Sequence, residues 1–334
     1  MKRKRNFLVG VDSYSLRPLN LDPFGLLDWV KKNGGDGAQF SEVNLPPGRR
    51  LDKTFLRELS QYARERRLFL EWGGGQHIPF DLRTGRPVDI FKVNRRAAEQ
   101  AQALGVTSVR SCSGGLMRWT DDSPPTGVLL QAMAQSLRAQ KRMLGDLGIT
   151  LAIETHFEFT TFELMRLFAA CGARPGEYLG ICLDTMNLLT MLEDPVMATK
   201  RVLPWVVMTH IKDGAILLTE NGLVTFPVEV GKGIVDLDEI IGLLAALGHR
   251  LHLSLEDHGG EFLIPVFNPS FLLKFPDLNP AELSRLLSQA LESQKRVERG
   301  DLAVVERNRW PEVCGDRVRN GLRNIKEIIG RRGF

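Results

Sequence analysis

The stretch "ITLAIETHF" (149–157) is apolar and β-branched as far as Ile153, then turns to Glu154 and His156. A continuous apolar run of this kind reads as a strand buried on both faces, so a carboxylate and an imidazole at its end need a reason. The chain repeats the pattern three times. "LGICLDTMN" (179–187) stops on Asp184, "VVMTHIKD" (206–213) on His210, and "LHLSLEDHG" (251–259) on Glu256. Each interval leaves room for one helix and a return.

Outward from these four, "FLVGVDSYSL" (7–16), "GAQFSEV" (37–43), "LFLEWGG" (68–74) and "SVRSCSGG" (108–115) bring the number of strand-like segments to eight. Between them, "FGLLDWVKKNG", "LDKTFLRELSQYARERR" and "VLLQAMAQSLRAQKRMLGDLG" repeat apolar residues at three- and four-residue intervals, often closing on Gly. Those are marks of amphipathic helices. Eight strand–helix units predict a (β/α)8 TIM barrel. A doubly wound sheet is the competitor, but no G-x-G-x-x-G follows the first strand. The expected organisation is one domain over residues 1–334, with an insertion after strand 8 at 260–310. "EFLIPVFNPSFLLKFPDLNP" (261–280) is rich in Phe and Pro, "AELSRLLSQALESQKRVERG" reads as a helix, and "CGDRVRNGLRNIKEIIG" as the last barrel helix. The insertion falls on the side of the βα loops, where its aromatics would cap a site or face a second subunit.

With 334 residues, 43% hydrophobic and 25% charged, the composition is that of a globular protein. No apolar run of about 18 residues suggests a membrane span. "MKRKRNFLVGVDSYSL" lacks the longer apolar core and cleavage site of a secretory signal, so a cytoplasmic location is expected. Lys2, Arg3, Lys4 and Arg5 account for the whole net charge of +4; the remainder is near neutral and offers no nucleic-acid footprint. Cys112, Cys171, Cys182 and Cys314 are far apart, which argues against a disulfide framework or a thiolate zinc site. Cys112 and Cys182 read as buried free thiols.

In a barrel, strand ends converge on one mouth. Glu154, Asp184, Glu256 and His210 would there crowd three carboxylates and an imidazole, at a large electrostatic cost that a divalent cation removes. Oxygen ligands with one nitrogen suit Mn²⁺, the first expectation, or Mg²⁺, Co²⁺ or Zn²⁺. His156, Asn187, Lys212, Asp213 and His258 lie just beyond the ligands, where supporting and substrate contacts belong.

The series "AIET", "CLDTMN", "THIKDG" and "LSLEDHG" resembles the xylose-isomerase-like barrel superfamily, which includes tagatose/psicose 3-epimerases, hydroxypyruvate isomerases, inosose dehydratases and endonuclease IV. "FPVEVGKGIVDLDEII" (226–241) is similar to the superfamily's G-x-G loop before the seventh helix. The resemblance spans roughly residues 7–259 and the helix near 318–330. It implies that Glu154, Asp184, His210 and Glu256 are metal ligands and that Glu154 and Glu256 also exchange a proton with the carbon beside the substrate carbonyl, the metal steadying the enediolate. The implied function is a divalent-metal-dependent sugar isomerase or epimerase. The alternative is a lyase that continues from the same enediolate to β-elimination, as in dehydration of a keto-polyol or cleavage of a 3-keto-glycoside or C-glycoside. A metal- or sugar-binding barrel without turnover is disfavoured by the presence of both glutamates.

Two departures narrow the choice. Asn187 stands where endonuclease IV carries a further metal-binding histidine. "HIKDGAILL" offers Lys212 but lacks the arginine that tagatose-type epimerases place shortly after the histidine. His156, Asn187, Lys212, Trp72, His77 and Arg110 are the expected substrate contacts, with Trp119 as a further wall. "EWGGGQH" (71–77) could cradle a phosphate or only allow a tight turn. By analogy with the superfamily, a homo- or hetero-oligomer is expected.

Overall fold

The computed structural model describes residues 7–81, 84–120 and 123–334, so the basic run Lys2, Arg3, Lys4 and Arg5 lies outside it. Eleven strands occur among the described residues: β1 (Leu8–Asp12), β2 (Gly37–Phe40), β3 (Phe69–Gly75), β4 (Ser108–Ser111), β5 (Thr150–Glu154), β6 (Leu179–Asp184), β7 (Val206–His210), β8 (Asp213–Thr219), β9 (Gly222–Val228), β10 (His252–Leu255) and β11 (Phe262–Ile264). Eight of them form one parallel sheet in the order β10-β1-β2-β3-β4-β5-β6-β7. Beyond β7 the ring closes on β10: the Ile211 N–H donates to the Ser254 carbonyl at 2.7 Å and the Glu256 N–H to the Ile211 carbonyl at 3.2 Å. Each of the eight coincides with a segment expected to be a strand, β3 running one residue further to Gly75, and helices pack around the ring. This is the (β/α)8 barrel.

Side-chain periodicity explains the layers. The helix Lys53–Glu65 buries Phe55, Leu56, Leu59 and Ala63 at helical spacing and is started by the Asp52 carboxylate, which accepts the Phe55 N–H at 2.9 Å. The helix Ile90–Leu104 ends on Gly105 at φ +80°, where a side chain would be strained. One apolar cluster, from Phe7 to Ile329, fills the space between strands and helices. Inside the ring the apolar content is small: Ala152, Cys182 and Met208. The triple glycine of 73–75 serves close strand packing, since a Cβ at Gly73 would meet the Phe40 carbonyl oxygen at 2.9 Å and one at Gly75 the Leu151 side chain at 2.8 Å.

Two features depart from the expectation. The segment after β7 is an antiparallel hairpin of β8 and β9, turning at Glu220–Asn221 with Gly222 at φ +135° opening β9, and β11 adds to its edge. The last helix, Trp310–Arg332, begins earlier than expected. The inserted helix Pro280–Glu298 lies on the hairpin; Arg296 Nη1 donates to the Gly233 carbonyl at 2.8 Å. Buried Arg118 fastens the insertion to the barrel, pairing with Glu163 and donating to the Lys274 and Glu158 carbonyls. No helix among the described residues is long and apolar enough to cross a membrane.

Candidate active site

The parallel strands deliver their last residues to one rim. Asp184 and His210 are register partners on β6 and β7, and Glu154 on β5 faces Cys182. Glu256 follows β10. One ligand atom from each of Glu154, Asp184, His210 and Glu256 lies within 4.8 Å of the others, and all four residues are buried. His210 is the hub: its Nδ1 is 3.3 Å from Glu154 Oε1 and 2.5 Å from Glu256 Oε2.

The charges around this group are balanced from outside. Arg110 Nη1 reaches Glu154 Oε2 at 2.5 Å, and the Lys212 ammonium sits 3.6 Å from both Asp184 Oδ2 and Glu256 Oε1. Burial works against an ionised Glu154, but Arg110 and His210 outweigh it and hold the carboxyl below its usual range. Glu256 is likewise held low against burial by Lys212 and His210. Asp184 behaves oppositely: burial prevails over Lys212 and pushes it to about 6. Asp184 Oδ1 is occupied by the Met186 and Asn187 N–H groups, at 2.9 and 2.8 Å, whereas Oδ2 is buried without a hydrogen bond. His210 Nδ1 packs against the Glu154 and Glu256 carboxylates without a well-aligned hydrogen bond to either.

An unpartnered buried carboxylate oxygen and an imidazole nitrogen crowded by two further carboxylates are what a cation site requires. Ligand atoms about 2.0–2.2 Å from an ion lie within about 4.4 Å of each other, close to the spacing found. The residues therefore fit a divalent cation with oxygen and imidazole ligands.

The other expected residues separate into three groups. Asn187 and Lys212 belong to the centre, with Lys212 Nζ 3.3 Å from Asn187 Oδ1 and Asn187 Nδ2 buried without a partner. Arg110 belongs to it as a counter-charge. His156 and His77 lie beside it: His156 Nδ1 is 2.9 Å from Glu158 Oε2, and His77 Nδ1 is 2.9 Å from Ser111 Oγ. Trp72 is the correction. It is buried against Phe40, and its Nε1–H points to Gln100 at 3.4 Å on the helix Ile90–Leu104, outside the ring. Asp213 is also occupied elsewhere. Its carboxylate accepts the N–H groups of Gly214, Gly231, Gly233 and Val235 at 2.7–3.2 Å, which shapes the G-x-G loop. A Cβ at Gly233 would sit 2.0 Å from Asp213 Oδ1, so only glycine fits there. His258 borders the mouth, edge-on to Tyr14.

Three contributors were not singled out in the sequence. Gln39 on β2 places its Nε2 2.5 Å from His210 Nε2; Asp12 at the end of β1 lies 3.6 Å from the same nitrogen; Glu158 holds His156. "FLVGVD" (7–12) shows the same apolar-then-acidic ending as the four strands discussed above and was the available signal for Asp12. Gln39 had none.

Aromatics from the insertion close the mouth. Phe262 lies 4.7 Å from Phe157 and 5.1 Å from Trp119, and Phe271 lies 5.5 Å from Trp119. A pocket of about 30 Å³ remains beneath, bordered by Asn187, Lys212, His258, Phe157, Phe262 and Arg307. A much larger cavity, about 1000 Å³, opens among strand beginnings such as Leu8, Phe69 and Thr150, at the other end of the ring. Chemistry in this fold sits at the strand ends, and so do Glu154, Asp184, His210 and Glu256.

A family model described as xylose isomerase-like TIM barrel matches residues 27–294. The chain is 26% identical over 206 residues to the uncharacterized protein YihM of Escherichia coli (strain K12), a match covering 60% of this chain and 59% of that protein. It thus spans about three-fifths of that relative's length. Among solved structures, a xylose isomerase-like TIM barrel protein from Mycobacterium smegmatis in complex with magnesium superposes with a TM-score of 0.59 at 16% identity, over 87% of this chain and 100% of that one. An L-ribulose 3-epimerase does so at 0.57 and 16%, over 89% and 99%. The probable 3-DHS dehydratase AsbF from Bacillus anthracis gives 0.56 and 17%, over 75% and 92%. At these identities the superpositions establish a shared fold.

Proposed function

We propose, for a chain that belongs to the xylose isomerase-like TIM barrel family, a divalent-metal-dependent sugar isomerase or epimerase that removes a proton from the carbon beside a carbonyl. The observation that carries this reading is the pair of glutamates meeting at one imidazole nitrogen, Glu154 Oε1 at 3.3 Å and Glu256 Oε2 at 2.5 Å. Glu154, Asp184, His210 and Glu256 would hold the cation, which when bound supplies Lewis-acid polarisation of a substrate oxygen.

The chain's own residues do the proton work. Arg110 and Lys212 keep Glu154 and Glu256 ionised, the form a base needs. One carboxylate accepts the proton. In an epimerisation the other, having taken up a proton from solvent, delivers that proton on the opposite face; in an isomerisation the first returns its own proton to the neighbouring carbon. Lys212 and Asn187, side by side, offer donors to a substrate hydroxyl. The Phe157–Phe262 cap excludes water from the exchanged proton. Ligand pockets measure about 300–1,000 Å³, so the 30 Å³ space admits a sugar only when this cap moves aside and then returns over it.

A second reading, β-elimination of a bulky group, is favoured by one observation: Phe157, Phe262 and Trp119 form an aromatic wall suited to a flat leaving group. Solvent-deuterium exchange separates the outcomes. With Mn²⁺ present, ketoses incubated in D₂O gain deuterium beside the carbonyl, and Glu154→Gln abolishes the gain; NMR of 3-keto-glucosides reports elimination. No exchange and no cleavage across a broad carbohydrate panel contradicts the enzymatic reading.

A further inference from the structure

Next to the four-ligand centre lies a second group of ligand-bearing side chains that the proposed reaction leaves unused. Cys112 follows β4, and His156 and Glu158 follow β5. One ligand atom from each of the three lies within 4.8 Å of the other two. The group is built rather than incidental. Glu158 is 1% exposed, and its Oε1 accepts the Ser113 and Gly115 N–H groups at 3.1 and 3.2 Å. Anchored in this way, the carboxylate presents Oε2 inward, where His156 Nδ1 meets it at 2.9 Å.

His77 supplies the independent observation. It is fully buried, its Nδ1 is engaged by Ser111 Oγ, and its Nε2 is buried without a partner. It adjoins the group through Ser113, whose Oγ accepts the neighbouring Ile78 N–H at 3.4 Å and whose own N–H holds Glu158 at 3.1 Å. A buried ring nitrogen with no partner is costly unless something binds it.

We propose that Cys112, His156 and Glu158, with His77 at their edge, form a second divalent-cation site, selective for a borderline ion such as Zn²⁺ or Co²⁺. A sulfur, a nitrogen and an oxygen donor favour such ions, whereas the oxygen-rich first centre also suits Mg²⁺ and Mn²⁺. Binding displaces two protons, one from the Cys112 thiol and one shared by His156 and Glu158. The site escapes a search for C-x-x-C spacing because its ligands come from two different strand ends.

Cobalt provides the test, because a thiolate bound to Co²⁺ adds charge-transfer absorption in the near ultraviolet that oxygen and imidazole ligands do not. Titration of the full chain with Co²⁺ is expected to show this absorption, with two ions per chain by elemental analysis. Cys112→Ser and Cys112→Ala lose the absorption and one ion. Asp184→Asn loses the other ion and keeps the absorption, which separates this site from the first centre. Cys182→Ser, at the other thiol close to His210, keeps both. One ion per chain in the wild type, or absorption that survives Cys112→Ser, overturns the proposal.

Discussion

Gln39 is the residue through which the centre is most sharply tested without touching a ligand. Its Nε2 lies 2.5 Å from His210 Nε2, while its own Oε1 is buried without a partner. A half-turn of the amide exchanges the two atoms. Oε1 then accepts the His210 Nε2–H, which fixes the tautomer that leaves the Nδ1 lone pair facing Glu154 and Glu256. Groups that orient a metal-bound histidine in this way typically contribute 10–100-fold to metal affinity, or about 1.4–2.8 kcal/mol. Gln39→Leu keeps the volume and removes the acceptor, so Mn²⁺ binding measured by calorimetry should weaken by about that factor. Gln39→Glu restores an acceptor and should stay much nearer to wild type. Equal affinity of Gln39→Leu and wild type refutes the role. Equal loss in both variants refutes the tautomer explanation and leaves only packing.

Other consequences concern stability and access. Mn²⁺ at 100 times its dissociation constant should stabilise the fold by about 2.7 kcal/mol in chemical denaturation, and Asp184→Asn should remove most of that gain. Arg118→Ala leaves the Glu163 carboxylate buried and unpaired, a loss of about 3–5 kcal/mol that Glu163→Gln in the same chain should partly recover. In the metal-free protein, burial opposes the His156 charge but Glu158 prevails and lifts the imidazole to about 9. The raised value means that the pair's contribution, about 1–3 kcal/mol, is complete below pH 6.5 and disappears as pH rises through 9. His156→Gln should flatten stability across that window. Phe262→Ala opens the cap above Lys212; faster solvent exchange of a bound substrate's proton, read by isotope washout, is the expected result, and an unchanged washout contradicts the water-excluding role.

The barrel was legible because eight apolar runs separated by amphipathic helices leave few other arrangements, and because the four strand-end residues carry charge in positions where charge is costly. The hairpin was not read. Only Ile211 and Lys212 separate His210 from the start of β8, so its apolar run merged with the end of β7, although Asn221–Gly222 is a hairpin signal in its own right. Trp72 was misplaced because alternation sends neighbouring strand residues to opposite sides: Glu71 bonds Ser254 Oγ at 2.6 Å inside the ring, so Trp72 faces the helices. Gln39 carries no charge and sits in an ordinary strand, so only the proximity of His210 reveals it. The aromatic insertion was legible as an insertion. Its placement over the mouth depends on Arg118 and Phe157, both distant in sequence.

The most direct measurement is the anomalous scattering of a crystal soaked in Mn²⁺. A peak bounded by Glu154, Asp184, His210 and Glu256, with ligand atoms about 2.0–2.2 Å away, is the predicted result. Manganese bound elsewhere, with these four side chains left uncoordinated, contradicts the shared-cation centre on which the proposed chemistry stands.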